Sequence, residues 1–339
     1  MRYNQIVEHG LEVLQGAGID AKFLNLGSET QSQNRINREY IDSLTFEMRI
    51  LGSAISDTRT KILGVDIPAP ITPAPIISSR ILDRLAERKY GRPVKTSADR
   101  AYLEDYARGV REAGSVMWWG ADSKNEMIER TIKQGTKTVV IVKPMQDKSK
   151  ALEIFSWAER IGCVAVGMDI DAMYFEKAFD EDEGPDYLAP QTIDDLKMYR
   201  QATKLPFILK GVLSTHDAKV AVREISASGL VVSMHGGESI DYTVPVLKVL
   251  PEVRAEVGEG IEVFVDSGFR RGSDVLKALA LGADGVLFGS LMVLAFAANE
   301  GNGITAMLKI LYRELQRAMS YTGCKSIDTI DRSIIRPIW

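Results

Sequence analysis

Eight short apolar runs, each followed by a stretch with helical periodicity, constrain the fold of this chain more than any other feature. The runs are continuous rather than alternating, which is typical of strands buried on both faces of a parallel sheet. Eight strand and helix units in series predict a (β/α)8 barrel. An open doubly wound sheet is the alternative if one run is not a strand. The runs are Pro68–Pro75, Ser115–Ala121, Thr138–Pro144, Val164–Ile170, Pro206–Gly211, Leu230–Gly236, Ile261–Gly268 and Gly285–Ser290.

Two of the stretches between the runs carry recognisable helix ends. Lys148 to Gly162 spaces its apolar residues three and four apart and ends on a glycine. Ser273 is a candidate N-cap for a helix that reaches Gly282. Both patterns predict helices that cover the sheet.

The chain before the first run also reads as helical, with His9–Asp20 and Asn34–Met48 as candidate segments. These segments contain no run long enough to supply a separate core. We therefore predict an N-terminal helical extension over residues 1–60 that flanks a barrel formed by residues 61–339.

Composition narrows the class of protein. The 339 residues are 45% hydrophobic and 26% charged, as in ordinary globular proteins, and the formal charge of -4 argues against a nucleic-acid partner. No apolar run reaches the length of a membrane span, and the polar start does not resemble a signal peptide, so we expect a cytoplasmic protein without a membrane partner. Cys163 and Cys324 show no metal-binding spacing, and no metal site is predicted.

One connection is too long for a tight loop. Tyr174–Thr192 joins the fourth predicted strand to its helix and is rich in acidic residues. It is either a solvated acidic loop or a lid over the site, since long loops in compact domains are often functional.

Chargeable or glycine residues end nearly every predicted strand. In barrels of this kind the functional site lies at the carboxyl ends of the strands, so these side chains are expected to surround it. The residues are Gly120, Lys143, Asp169, Asp171, Lys210, His235, Glu238, Asp266, Gly268, Arg270, Gly289 and Ser290.

The last two strands predict an anion site. DSGFRRGSD and GVLFGS place glycines and hydroxyls just before helices, where free backbone N–H groups and the helix dipole attract an anion. Many barrels bind phosphate at this place, and Arg270 would add a charge-assisted contact. Simple helix capping is the alternative, because glycine and serine also suit caps.

Several motifs resemble the FMN-dependent α-hydroxy acid oxidase and dehydrogenase family, the group of glycolate and lactate oxidases. They are FILKGVLSTHDAKVAV, VVSMHGGESIDY, FVDSGFRRGSDVLKALALGADGVLFG and YTGCKSIDTIDRS. Weaker similarity extends upstream through NRINREY and TKILGVDIPAPITPAP, so the resemblance covers most of the chain and is specific from about Pro206 onward.

This resemblance implies a barrel that binds FMN at its mouth, a small-molecule substrate and a homotetramer. Lys210 would lie near flavin N1 and O2, His235 would be the active-site base, and Asp171 would be the carboxylate paired with it. The implied cofactor contacts are Ala74, Pro75, Gly120, Lys210 and Ser233 around the ring, and Asp266, Gly268, Arg270, Gly289 and Ser290 around the phosphate.

The pairing of His235 with Asp171 makes physical sense without the family. A carboxylate beside an imidazole fixes its tautomer and stabilises its protonated form, so the ring can accept a proton from a substrate hydroxyl. A histidine at the end of a buried strand can also be structural, and the surrounding motif favours the functional interpretation.

The sequence also departs from the family. Met234 replaces an asparagine, and Glu238 stands where the family has an arginine that clamps the substrate carboxylate, which reverses the charge. Lys143 and Asp169 replace neutral residues at the mouth, and Ser290 replaces an arginine of the phosphate site. We predict that Lys143, Asp169 and Glu238 contact a substrate that is not a simple 2-hydroxy acid.

Three functions fit these features. The first is an FMN-dependent oxidoreductase that oxidises a hydroxyl or amine carbon. The second is a flavin-dependent isomerase without net redox, similar to the type 2 isopentenyl diphosphate isomerases. The third is a barrel that has lost catalysis and serves as a binding or assembly subunit, although retention of His235, Asp171 and Lys210 argues against it.

Overall fold

The computed structural model describes residues 2–20, 24, 27–75, 80–91, 93–94, 100–121, 123–173 and 188–338. Each of the eight predicted runs contains or overlaps one strand of a single parallel sheet. The strands are β1 Leu44–Phe46, β2 Thr60–Ile62, β3 Val65–Ile67, β4 Ile71–Pro73, β5 Met117–Ala121, β6 Thr138–Val142, β7 Ala165–Asp169, β8 Phe207–Val212, β9 Gly229–Val232, β10 Glu262–Val265, β11 Gly285–Phe288 and β12 Ile335–Pro337.

The sheet formed by β4 to β11 is a nearly closed barrel, which confirms the predicted fold. Each strand from β5 to β10 pairs in parallel with the next along the chain, and β11 pairs in parallel with β4. At the remaining seam, the Ser115 hydroxyl before β5 donates to the Ile71 carbonyl of β4 at 2.9 Å. A sheet that returns to its first strand excludes the open doubly wound alternative.

Helices surround the barrel, and four of them begin at side-chain caps. The side chains of Asn125, Asp147, Thr192 and Ser214 each accept a hydrogen bond from a first-turn N–H. The helices are α1 Tyr3–Gly16, α2 Ser32–Ser43, α3 Arg80–Tyr90, α4 Tyr102–Glu112, α5 Glu126–Lys133, α6 Lys148–Ile161, α7 Ile193–Gln201, α8 Thr215–Arg223, α9 Val246–Val257, α10 Gly272–Ala280 and α11 Ser290–Tyr321.

The two predicted helix ends have different outcomes. Helix α6 ends at Gly162, whose φ of 87° closes the last turn as predicted. The prediction that Ser273 is an N-cap is wrong, because α10 already begins at Gly272. The Asp274 carboxylate accepts from the N–H groups of Arg270 and Arg271 instead, and so performs the capping from inside the first turn.

The N-terminal segment contains α1 and α2, and also a strand. The helix predicted over Asn34–Met48 ends at Ser43, and Leu44–Phe46 forms β1, which pairs antiparallel with β12 at the other end of the chain. The strand pair β1–β12 therefore joins the N-terminal segment to the C-terminal residues. Local sequence periodicity cannot predict a pairing over this separation.

Apolar side chains fill the inside of the barrel. Trp118, Ile141, Ile208, Val231, Phe264 and Leu287 belong to one buried cluster, and the rings of Trp118 and Phe264 meet edge to face with centroids 5.1 Å apart. Ile62 and Ile67 of the β2–β3 hairpin join this cluster. The hairpin, which the sequence did not predict, packs on the barrel's amino-terminal end, where the Leu63 N–H donates to Glu262 at the start of β10.

Helix α11 is long and apolar enough to cross a membrane by length and composition, but 67% of its most apolar window is buried in this fold. It packs against α1, α4 and α10. Its apolar surface therefore belongs to the core of the barrel.

Candidate active site

Eight residues form one layer above the apolar barrel interior. Side chains alternate between the two faces of a strand, so a residue two positions after an inward apolar side chain also points inward. Trp118, Ile141, Ile208, Val231, Phe264 and Leu287 point inward, and a predicted site residue follows each of them by two positions. With the matching positions of β4 and β7, the layer comprises Ala74, Gly120, Lys143, Asp169, Lys210, Ser233, Asp266 and Gly289.

Asp169 stands at the centre of the charged part of this layer. Lys210 Nζ lies 2.9 Å from its Oδ1, and Lys143 Nζ lies 2.9 Å from its Oδ2. Lys210 also lies 3.6 Å from Asp266 Oδ2 and 3.4 Å from Ser233 Oγ. The two lysines and two aspartates thus form a buried ion-pair network.

The network shifts the protonation of its members. Burial alone would raise the pKa of Asp169, but its interactions with the neighbouring imidazole of His235 and with the ammonium groups of Lys143 and Lys210 outweigh it and hold that pKa well below its usual value. Burial alone would lower the pKa of Lys210, but Asp169, Asp266 and Asp171 raise it above the ordinary range. Asp169 is therefore ionised and Lys210 protonated at neutral pH.

His235 and Asp171 lie at hydrogen-bond distance. His235 Nδ1 is 3.1 Å from Asp171 Oδ1 and 3.5 Å from both Asp169 Oδ1 and Lys210 Nζ. Asp171 is the nearest of the three, so we assign the Nδ1 proton to that hydrogen bond. The lone pair is then on Nε2, which leaves this nitrogen as the base.

The absence of a side chain at Gly211 leaves the space that the Asp171 carboxylate occupies. Gly211 interrupts the β8 ladder with a register shift and has a φ of 98°. A Cβ at this position would lie 2.5 Å from Asp171 Cγ. Only glycine fits this combination of positive φ and close approach.

The turn that carries His235 is strained and is held by hydroxyls. His235 itself has a φ of 53°, unusual for a residue with a side chain. The Ser233 hydroxyl accepts from the His235 N–H at 3.1 Å, and the Ser267 hydroxyl accepts from the N–H groups of Met234 and Gly236 at 3.4 and 3.2 Å. Ser267 is not among the predicted site residues, yet its hydroxyl bonds to the residues on both sides of His235.

Helix α2 supports this turn from the N-terminal segment. Asn37, fully buried, donates to the Ser267 carbonyl at 2.9 Å and accepts from the Val246 N–H at 3.0 Å. The Asp241 carboxylate accepts from the N–H groups of Thr30, Ser32 and Gln33 at the start of α2. No pattern in α2 marks Asn37 as a site residue, because its partners lie more than 200 residues away.

The predicted phosphate side is built mostly from backbone. Gly289 ends β11 and precedes α11, and Ala74 lies across from it because the Ala74 N–H donates to Phe288. The Ser290 hydroxyl donates to the Leu24 carbonyl. Arg270 is exposed, and the guanidinium at this end is that of Arg38, which donates to the Gly268 carbonyl at 3.0 Å and pairs with Asp274.

This arrangement fits a flavin nucleotide. A Cβ added at Gly289 would meet only Ala74 within 4 Å, at 3.8 Å, so there is room in front of the first amides of the 32-residue helix α11. Helix amides with open space suit a phosphate, and the buried cation of Lys210 suits a ring that gains negative charge on reduction.

Two further predicted features of the barrel mouth are Glu238 and the long acidic connection Tyr174–Thr192. Glu238 follows the one-turn 3-10 helix His235–Gly237, and its N–H donates to the His235 carbonyl at 3.2 Å. Most of the Tyr174–Thr192 connection, residues 174–187, lies outside the described residues, so both interpretations of it, a solvated loop or a lid, stay open. Its last part does return to the barrel, where the Ala189 N–H donates to Pro144.

At the mouth of this barrel, a buried ammonium group lies beside an imidazole that pairs with a carboxylate. This combination is typical of an enzyme site in which a base accepts a proton and a cation stabilises negative charge. Comparison with known proteins specifies the family. A profile described as FMN-dependent dehydrogenase matches residues 19–184 and 181–337, and the chain belongs to that family. The predicted family and the predicted cofactor, FMN, are thereby confirmed, and the protein is an FMN-dependent oxidoreductase.

Its relatives span most of the chain. A 4-hydroxymandelate oxidase from Amycolatopsis orientalis is 29% identical, covering 95% of this chain and 94% of its own. A peroxisomal (S)-2-hydroxyacid oxidase from Arabidopsis thaliana is 31% identical over 93% of this chain and 91% of its own. A solved structure of mandelate oxidase with (S)-2-phenylpropionate superposes with a TM-score of 0.82 at 28% identity, covering 99% and 97% of the two chains.

Proposed function

We propose that this protein oxidises a hydroxyl or amine carbon of a small molecule that is not a simple 2-hydroxy acid. The observation that carries the proposal is the 3.1 Å contact between His235 Nδ1 and Asp171, with Glu238 three residues further along the same turn. The contact supplies an oriented base, and Glu238 adds a carboxylate to the turn that carries this base.

In this mechanism His235 Nε2 takes the proton from the substrate hydroxyl. Asp171 keeps the Nδ1 proton in place and stabilises the imidazolium that forms. Ser239, which donates to the other Asp171 oxygen at 3.5 Å, helps to fix the carboxylate. When bound, FMN would supply the oxidant: it would take the hydrogen of the substrate carbon together with two electrons, as hydride, while the hydroxyl proton goes to His235.

The residues proposed to hold FMN follow from the layer and the strand ends. Lys210 and Ser233 would approach the ring, with Ala74, Pro75 and Gly120 at its other edge. The phosphate would lie at the start of α11, near Gly289 and Ser290, and close to Asp266, Gly268 and Arg270. Arg38 is a further cation near that place, since it contacts Gly268.

The substrate is inferred from charge. The carboxylates of Asp169, Asp171, Asp266 and Glu238 outnumber the ammonium groups of Lys143 and Lys210 at the mouth. The named relatives act on hydroxy acids, whereas a bare carboxylate beside Glu238 would be repelled. A neutral or cationic group next to the reacting carbon suits this site better.

The test is anaerobic titration of the purified yellow protein with hydroxy acids, amino alcohols and amines, followed by bleaching of the flavin band. We expect faster flavin reduction by substrates without a free carboxylate than by glycolate or lactate. Fastest reduction by lactate would contradict the proposed substrate class. A protein that takes up no FMN would contradict the proposed function as a whole.

Charge reversal at Glu238 sharpens the test. Glu238→Arg should increase the rate with lactate relative to the wild type, because an arginine pairs with a carboxylate. Glu259→Arg, the same reversal at an exposed position after α9, is the matched control and should change nothing. Equal responses of the two variants would remove Glu238 from substrate recognition.

Other predictions stay untested. A cytoplasmic location, a homo-oligomer and a division between residues 1–60 and 61–339 remain as the sequence predicts them. One of the relatives named above is described as peroxisomal.

A further inference from the structure

Lys143, Asp169 and Lys210 form a bonded set that we call the lysine–aspartate triad. They stand at the ends of the neighbouring strands β6, β7 and β8, and Asp169 and Lys210 are direct partners in the β7–β8 ladder. Each lysine donates to a different oxygen of Asp169, both at 2.9 Å. One carboxylate therefore fixes two ammonium groups at once.

The triad is buried, so its charges act over a short distance with little screening. Asp169 is 5% exposed and Lys210 3% exposed, and the Lys143 side chain is 16% exposed. The carboxylate of Asp266, at 3.6 Å from Lys210, balances the second lysine. The layer therefore contains two positive and two negative charges, and its net charge is zero.

We propose that Asp169 is a positioning residue that sets the reduction potential of bound FMN, by holding both lysines and cancelling one of their positive charges. This inference rests on the proposed function in one respect, the place of Lys210 beside the flavin. It goes further in assigning Asp169 to the electronics of the cofactor rather than to substrate contact.

The physical reason is the charge of the reduced ring. Two-electron reduction of a flavin produces an anionic ring unless a proton is taken up, and a nearby positive charge stabilises that product. A carboxylate bonded to the same lysine opposes this stabilisation. Asp169 therefore makes the bound flavin a weaker oxidant than the two lysines alone would make it.

A metal site is the competing interpretation of the same residues. Asp169, Asp171 and His235 offer ligand atoms that lie within 4.8 Å of one another. Both oxygens of Asp169 accept from lysines, however, and the Lys210 ammonium is 3.5 Å from His235 Nδ1. Ammonium groups already supply the positive charge at this place and would repel a divalent cation.

The experiment measures the midpoint potential of the FMN-loaded protein for three variants. Asp169→Asn keeps the shape and removes the negative charge, so the equilibrium for reduction should rise about tenfold or more, which is about 30 mV for a two-electron couple. Asp169→Glu keeps the charge and should stay near the wild type. Lys143→Met removes a positive charge and should shift the potential in the opposite direction, downward.

Sulfite affinity gives a second readout that needs no turnover. The adduct of sulfite with an oxidised flavin carries negative charge on the ring, so Asp169→Asn should bind sulfite more tightly and Lys143→Met more weakly. Asp194→Asn, the same substitution on an exposed side chain of α7, is the control and should leave both readouts unchanged.

The outcomes separate this inference from the proposed function. An unchanged or lower potential in Asp169→Asn, with FMN still bound, would overturn the inference alone. If Asp169→Asn does not fold, the sign of the shift in Lys143→Met decides, and a rise or no change there would overturn it. Failure of the wild type to bind FMN would overturn both proposals.

Discussion

The two sides of the barrel mouth are built in different ways. The ends of β6, β7 and β8 carry charged side chains that bond to one another through Asp169. Apart from Asp266, whose carboxylate lies 3.6 Å from Lys210, the ends of β10, β11 and β4 carry glycines, small side chains and the start of α11, and backbone groups dominate there. The proposed function accounts for this difference if one side governs charge and proton transfer and the other holds the cofactor by shape and amide donors.

His235 stands between these sides on β9 and depends on both. Its imidazole contacts Asp171 from the β7 side, and its backbone turn is clasped by Ser267 from the β10 side. Substitutions on the charged side should therefore change rates and stability strongly, whereas those on the glycine side should mainly change cofactor affinity.

Asp171→Asn should give the largest effect. An asparagine can donate to His235 Nδ1 and so favour the tautomer with its proton on Nε2, which removes the base. We expect flavin reduction to slow by about 10²- to 10⁴-fold, measured by anaerobic stopped-flow. FMN should stay bound. A rate within about threefold of the wild type would contradict the pairing.

Lys210→Met should give the largest loss of stability. It leaves Asp266 and one oxygen of Asp169 buried without their ammonium partner, at a cost of about 3–5 kcal/mol in the free energy of unfolding. Urea denaturation measures this cost. Lys219→Met, on the exposed face of α8, should cost less than about 0.5 kcal/mol. Equal losses would mean that the ion-pair network does not stabilise the barrel.

Asn37→Ala tests the link between α2 and the His235 turn. It leaves the Val246 N–H and the Ser267 carbonyl without their partner, so we expect a loss of about 1–3 kcal/mol and slower flavin reduction. Gln33→Met is the contrast, because Gln33 is fully buried and its Oε1 has no hydrogen-bond partner among the described residues, while its Nε2 donates only to the weak acceptor Met234 Sδ. That variant should be neutral or more stable, and the opposite ranking would refute the assignment.

Two glycines on the other side should give the smallest and most selective effects. Gly289→Ala should leave the apoprotein near wild-type stability but weaken FMN up to about tenfold, because the methyl group enters the room before α11. Gly268→Ala should cost about 1–2 kcal/mol in the apoprotein itself, since φ is 80° and Cβ would lie 2.8 Å from Asn37. FMN titration measures the affinity of each variant, and thermal unfolding measures the stability of each apoprotein. Equal losses of affinity and of stability in the two variants would contradict the different roles of Gly289 and Gly268.

Sequence reasoning identifies the barrel because buried parallel strands leave continuous apolar runs, and it identifies the ring of site residues because barrel sites lie at strand ends. It does not identify Ser267, Asn37 or the kink at Gly211. Their roles arise from contacts across the fold, as in the bond from Asn37 to Ser267 over 230 residues. For the same reason it could not show that Lys143 and Asp169 bond to each other.

The most direct test of the account concerns His235 as the base. FMN-loaded wild type and His235→Ala should be mixed anaerobically with whichever alcohol or amine bleaches the wild type fastest, and the reduction rate followed over a range of pH. We predict that His235→Ala retains FMN and the folded barrel but reduces the flavin about 10²- to 10⁴-fold more slowly. A variant that retains the wild-type rate and pH dependence would contradict the central claim.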